Sequence, residues 1–216
     1  EMWALVHQQL YNAGEAMLTG DKELAYKVIS RERRVNAFEL KIDSDCEDII
    51  ALYAPVAIDL RFVLAMYKIN TTLERLGDFA ESIARFAGTL PEGEPIDPQL
   101  VKEPRVAEIL SELISMLSLT KEAFEKESSE IASRIFLKDN LIDEINHNST
   151  AIIAKYIEEH KGSALAGLYI AGVIRNMHRF GDHCTNIAEE LIFYLDAKVM
   201  KHMRKTEQYF VSLVPL

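Results

Sequence analysis

The chain has 216 residues, with 24 Lys and Arg against 34 Asp and Glu, for a formal net charge of -10. That balance excludes a nucleic-acid scaffold, whose phosphate contacts need a basic footprint, and suits cations or a partner with a basic surface. Hydrophobic residues at 49% with 27% charged residues exclude a disordered chain and allow a core of ordinary size.

Nine glycines and six prolines fall well below the usual share of roughly 12% for the two together. Few breakers over this length call for few turns and long elements. Cys46 and Cys184 form no CxxC and no framework of bridges, which reads as buried thiols in a reducing compartment. The most apolar stretch, Ala164 to Ile174, ends at Arg175 after eleven residues, short of the ~18–20 needed to span a bilayer. No signal peptide is visible, and the expectation is a soluble, cytoplasmic protein. The sequence opens at Glu1 inside a helical pattern, which leaves room for residues upstream.

Helical periodicity dominates, without a convincing strand. A first helix is expected over Met2 to Thr19, with Gly20 as its stop and Asp21 as the N-cap of the next. The second runs from Lys22 to Ala54 and is cut by Pro55, which opens a third that continues to about Leu90. The breaker-rich stretch from Pro91 to Pro98 reads as a linker. After it come a helix to about Glu127, another from Ser129 to His160, a stop at Lys161-Gly162 and a last helix to about Met203. Residues 206–216 form an unassigned tail.

The two halves look alike. Glu23-Leu24-Ala25, Val28, Val35 and Asn36 correspond to Glu130-Ile131-Ala132, Ile135, Ile142 and Asp143, and Glu74-Arg-Leu-Gly-Asp78 corresponds to His178-Arg-Phe-Gly-Asp182. Core packing repeats leucines by necessity, but not polar residues in register. The expected architecture is therefore all-α, two tandem three-helix bundles related by an internal repeat: residues 1–90, a linker at 91–98, and residues 99–205.

Glu74 and Asp78 are four apart and project from one helix face. Glu32/Asn36, Asp139/Asp143 and His178/Asp182 share that spacing. Folding the first hairpin at Pro55 sets Asn36 against Glu74 and Glu32 against Asp78, with Glu39 one turn along. Folding the second at Gly162 sets Asp143 near Arg179 and Phe180, Asp139 near Asp182, and Asn146 beside His178. Such clusters need a cation or base to offset their charge, and hard oxygens with an occasional imidazole suit Fe, Zn, Mn or Mg. The bland alternative is a solvated face paired with Arg31, Arg33, Arg34, Arg75 and Arg179. Glu144-x-x-His147 is a single ExxH where a ferritin-like di-metal bundle needs two. His183 and Cys184 adjoin Asp182 but read as packed residues. The basic run Lys198, Lys201, His202, Arg204 and Lys205 complements the negative end of the last helix. There is no P-loop, GxGxxG or GxSxG, no organic cofactor motif, and nothing that asks for an enzyme.

Val35-Asn-Ala-Phe-Glu-Leu-Lys-Ile-Asp43, Ala54-Pro-Val-Ala-Ile-Asp-Leu-Arg61 and Leu73-Glu-Arg-Leu-Gly-Asp78 resemble the first half of a PhoU phosphate-signalling protein. His178-Arg-Phe-Gly-Asp-His-Cys-Thr-Asn-Ile-Ala-Glu189, running into Phe193-Tyr194, resembles its second half. The resemblance covers about Met2 to Met203. It implies tandem three-helix bundles, often dimeric, with E(D)xxxD motifs that bind multinuclear iron or zinc clusters. Carried onto this sequence, those motifs are Glu32/Asn36, Glu74/Asp78, Asp139/Asp143 and His178/Asp182. Asn36, His178 and Asn146 each replace an acid of the family pattern and remove a negative charge. The resemblance further implies negative regulation of phosphate uptake at the cytoplasmic side of the inner membrane. The implied partners are the ATPase subunit of the Pst transporter and a PhoR-type sensor histidine kinase. Rival readings are a ferritin-like metal oxidase or storage protein, the regulatory domain of a sodium/phosphate transporter, and an inert helical scaffold.

Overall fold

The structure, a computed structural model, describes residues 1–89 and 96–200. Among these there are seven helices and no strand: α1 (Met2–Thr19), α2 (Lys22–Tyr53), α3 (Ala57–Thr89), α4 (Pro98–Lys102), α5 (Val106–Glu125), α6 (Ser129–Glu159) and α7 (Ala164–Asp196). Local chemistry sets most boundaries. Gly20 ends α1 at φ 72°, a left-handed conformation that costs glycine little. The Asp21 carboxylate then accepts from Leu24 N at 2.9 Å and caps α2. Ser128 does the same for α6, accepting from Ile131 N at 3.2 Å.

Three boundaries differ from the sequence expectation. The linker ends in the one-turn α4, capped by Asp97 and pinned by a 2.6 Å hydrogen bond that Tyr156 Oη donates to the Asp97 carboxylate. The helix expected to run to Glu127 is α5, which begins only after a turn at Arg105 with φ 59°. The last helix stops at Asp196 rather than Met203, where Ala197 turns left-handed at φ 56° and the chain folds back to bury Met200. No glycine or proline marks that stop, so the sequence pattern carries no sign of it. Most of the expected linker, the tail at 206–216 and the basic run from Lys201 onward lie outside the described residues.

α1, α2 and α3 pack on one another, as do α5, α6 and α7, giving one three-helix unit per repeat. The units meet through α3 on α7 and α1 on α5. Both contacts are antiparallel. Along α3 the partners on α7 run backwards: Arg61 Nε donates to the Tyr194 carbonyl at 3.2 Å, Lys68 pairs with Glu190 at 2.9 Å, Phe79 meets His183 at 5.4 Å and Phe86 meets Tyr169 at 5.3 Å. Between α1 and α5, Trp3 Nε1 donates to Thr120 Oγ1 at 2.9 Å and its ring stacks on Phe124 at 5.0 Å. Further along α1, Gly14 leaves no room for a Cβ against Leu110. Apolar side chains from both repeats, Val28, Leu76 and Ile83 with Ile135, Phe180 and Ile187, belong to one continuous core.

Candidate metal centre on the first helix hairpin

α2 and α3 run side by side from Pro55, and their facing seam carries the acidic motifs. Gly77 lets the helices close: a Cβ there would sit 3.1 Å from Val35 Cγ1. The closed seam holds Glu32, Glu74 and Asp78 with one carboxylate oxygen of each within 4.8 Å of the others, the only such group of three His, Cys, Asp or Glu ligand atoms among the described residues. Asp78 is exposed, Glu74 half-buried and Glu32 buried at 6% exposure.

Glu32 is the unusual member. Neither of its buried carboxylate oxygens has a hydrogen-bond donor, so the charged form loses water without replacement. Burial, followed by the negative charges of Asp78, Glu81 and Glu74, pushes its pKa from the ordinary 4.5 up to about 7. A proton shared with Asp78 is the hydrogen bond that the neutral form gains. Glu74 and Glu39 are also raised, first by burial and then by neighbouring carboxylates, with Arg75 opposing.

Asn36 and Glu39 lie near this triad but are not part of it. Asn36 lies exposed on the rim of a groove of about 520 Å³, which it lines with Ser30, Glu32, Arg33, Asp78, Glu81 and Arg85. Glu39 lies one turn along and outside the triad. Its backbone carbonyl accepts from Asn70 Nδ2 at 2.8 Å, and the same amide donates to Asp43 at 2.8 Å. Sequence reasoning missed Glu81, held by Arg85 at 2.6 Å. The signal was present: Glu74, Asp78 and Glu81 follow the i, i+4, i+7 spacing of one helix face.

The second seam is built differently. His178, half-buried on α7, has a carboxylate at each ring nitrogen: Asp143 at 2.8 Å from Nε2 and Asp182 at 3.4 Å from Nδ1. Asp139 is completely buried, and its Oδ1 lies where a Cβ on Gly181 would be, 2.7 Å away. Thus His178 draws Asp143 and Asp182 together, while Asp139 is tucked beneath the glycine. Asn146 is half-buried. Cys184 is buried with its thiol pKa raised, by desolvation first and then by Asp139. His183 packs on Phe79, and burial with Arg75 and Arg179 nearby lowers its pKa. The lone ExxH faces outward: Glu144 is exposed and pairs with Arg105 at 3.1 Å, and His147 is exposed.

The donor set of the first seam fits a hard cation: three converging carboxylates, one with both oxygens buried and undonated, beside an amide and a fourth carboxylate. The second seam instead offers an imidazole with each ring nitrogen facing a carboxylate, Asp143 at one side and Asp182 at the other.

Two tandem three-helix units, antiparallel to each other and bearing acidic motifs on the second and third helix of each, define an all-helical protein with an internal repeat. No helix of the described residues is long and apolar enough to cross a membrane. The PhoU domain family matches residues 1–87 and 106–191, stretches that fall on α1–α3 and α5–α7. A Burkholderia protein named "Phosphate-specific transport system accessory protein PhoU homolog" is 32% identical over 203 residues, 94% of this chain and 86% of that one. The crystal structure of PhoU from Pseudomonas aeruginosa superposes with a TM-score of 0.85 at 31% identity, covering 91% of this chain and 93% of that one. The phosphate transport system regulatory protein PhoU from Streptococcus pneumoniae gives 0.82 at 27% identity, over 92% and 91%. The chain belongs to the PhoU family.

Proposed function

We propose that this chain is a non-enzymatic, negative regulator of phosphate uptake and phosphate-starvation signalling. It acts in the cytoplasm, peripheral to the inner membrane at most, as a homodimer. Its partners are the ATPase subunit of the Pst phosphate transporter and a PhoR-type sensor kinase, with no role in binding nucleic acid. The observation that carries this reading is the match of both repeats, over nearly the whole chain, to relatives named as accessory or regulatory proteins of phosphate transport.

Within that role the first seam is proposed as a cation site, on the strength of the buried, undonated Glu32 carboxylate. Glu32, Glu74 and Asp78 would hold Fe, Zn, Mn or Mg, with Asn36 and Glu39 at the rim. A bound cation supplies positive charge there, which offsets the repulsion of the three carboxylates and favours the deprotonated form of Glu32. Asp139, Asp143, His178 and Asp182 are the matching set on the second repeat. Docking is then biased by whether the seams are charged or neutralised.

The test is affinity capture from membranes of phosphate-replete and phosphate-starved cells, comparing wild type with Glu74→Ala/Asp78→Ala. Phosphate-dependent recovery of the transporter ATPase or the kinase supports the regulator, and its loss in the double variant makes the first seam part of the switch. Recovery of neither protein under either condition sinks the reading.

A further inference from the structure

The run from Ile49 to Ile58, Ile-Ile-Ala-Leu-Tyr-Ala-Pro-Val-Ala-Ile, has no polar side-chain atom except the Tyr53 hydroxyl. Ten such residues in succession ordinarily close into a core. Here they form the tip of the α2–α3 hairpin, and every residue from 47 to 59 is exposed except Pro55, which is half-buried. Leu52, Tyr53 and Val56 keep 74%, 76% and 71% of their surface open. The tip projects past its support: Arg61, just inside it, already reaches Tyr194, near the end of α7.

The turn is also held in one shape. Ala54 and Ala57 take left-handed φ values of 45° and 52°, a region disfavoured for L-residues, and Pro55 lies between them with its own φ fixed. An exposed apolar run on an uncommon, defined turn is a feature of recognition surfaces more than of solvated loops.

Charge surrounds it on both sides. Asp45, Glu47 and Asp48 precede the run and Asp59 follows it. Among the described residues, the bases nearest the run in sequence are already engaged: Lys41 with Asp45 at 2.9 Å and Arg61 with the Tyr194 carbonyl at 3.2 Å. The α6–α7 tip also exposes leucines, Leu165 and Leu168, but Lys155 and Lys161 there balance Glu158 and Glu159. The acidic collar is specific to the first repeat.

We propose that the α2–α3 tip is a docking surface for a protein partner whose contact face is apolar at its centre and basic at its rim. This rests on the accessory-regulator reading and names the surface through which it operates. Charge decides between occupants. A second copy related by a two-fold axis would set the two acidic collars against each other. An anionic bilayer repels the same collar. A basic rim around an apolar centre satisfies both the Leu52–Tyr53–Val56 patch and the carboxylates beside it.

The experiment compares wild type with Leu52→Ser/Tyr53→Ser/Val56→Ser and with Glu47→Lys/Asp48→Lys. Each chain is immobilised and challenged with detergent-solubilised membranes of phosphate-replete cells. Recovery of the Pst ATPase subunit and of the sensor kinase is quantified at low and high salt. Sedimentation velocity reports self-association, and flotation with phosphatidylethanolamine/phosphatidylglycerol vesicles reports lipid binding. Because the substituted side chains are exposed, helicity and Tm should stay at wild-type values. The expected result is at least about tenfold less recovery by both variants of whichever partner the wild type captures, with wild-type capture weakened by salt. Recovery by the variants equal to wild type overturns the assignment while leaving the regulator intact. Capture of neither protein by wild type overturns both. Loss of self-association or of vesicle binding in the variants, with partner recovery unchanged, overturns the choice of occupant.

Discussion

Glu32→Gln should make the metal-free protein more stable at alkaline pH and leave it nearly unchanged under acid. The glutamate keeps its proton in the folded state up to about pH 7, whereas an unfolded glutamate releases it near 4.5. Between those values the folded chain binds more protons, so stability falls as pH rises. At about 1.36 kcal/mol per unit, a gap from 4.5 to about 7 sets a ceiling of about 3.4 kcal/mol. Glu32 lines a groove open to the surface, and screening across it brings the expected loss down to about 1–2 kcal/mol. Glutamine fills the same space without ionising. Urea unfolding followed by circular dichroism, in the presence of a chelator, should therefore give matching stabilities near pH 4, below the unfolded value. Near pH 8 the variant should lead by about 1–2 kcal/mol, or roughly 2–8 °C in Tm for a chain of this size. A difference that is the same at both pH values, or a variant less stable than wild type near pH 8, would refute the account of Glu32 as a carboxylate strained by burial and by its acidic neighbours.

Metal should reverse this order. With Mn²⁺ or Zn²⁺ at about a hundredfold above Kd, wild type should gain about 2.7 kcal/mol and Glu32→Gln much less, measured as a Tm shift. Affinity by calorimetry should fall by up to about tenfold per unit as pH drops below 7, since the ion must displace the Glu32 proton. Gly181→Ala should cost about 1–3 kcal/mol by thermal melting, because the new methyl meets Asp139 Oδ1 at 2.7 Å and Ile142 at 3.2 Å. Gly77→Ala should stay within about 1 kcal/mol of wild type, since only a Val35 methyl at 3.1 Å must yield and helix propensity gains by about that amount. His178→Glu should destabilise the metal-free chain by about 1–2 kcal/mol, as it replaces a ring joined to two carboxylates with a further negative charge; added Mn²⁺ should recover that loss in a melting assay.

Helix boundaries were legible wherever a side chain enforces them. Gly20, Asp21 and Ser128 act through φ and through capping bonds that any reader of the sequence can anticipate. The end of α7 was not, because Ala197 adopts its left-handed turn for the sake of burying Met200, a tertiary gain with no local mark. The pairing of Glu32 with Asp78 followed from equal helical rise on either side of Pro55. Glu81 was missed because the motif was read as a pair, although the groove continues another turn. The glycine of each RxGD motif is the part whose physical sense emerges only in three dimensions: Gly77 lies where α2 and α3 approach closely, and Gly181 lies where Asp139 leaves no room for a methyl group. The exposed tip inverted the usual rule, since Ile49 to Ile58 has core composition and surface placement.

The antiparallel contact of α3 with α7 is also what two single-repeat chains would make on pairing about a two-fold axis. Joining the copies into one chain turns that association into an intramolecular one and makes the partners inseparable at any concentration. It also frees them from identity. In a symmetric pair every substitution appears twice, whereas in the fused chain it appears once. One seam could then keep Glu74 while the other acquired His178, and one hairpin tip could gather carboxylates while the other kept its lysines. The asymmetry in charge between the repeats is the record of that freedom.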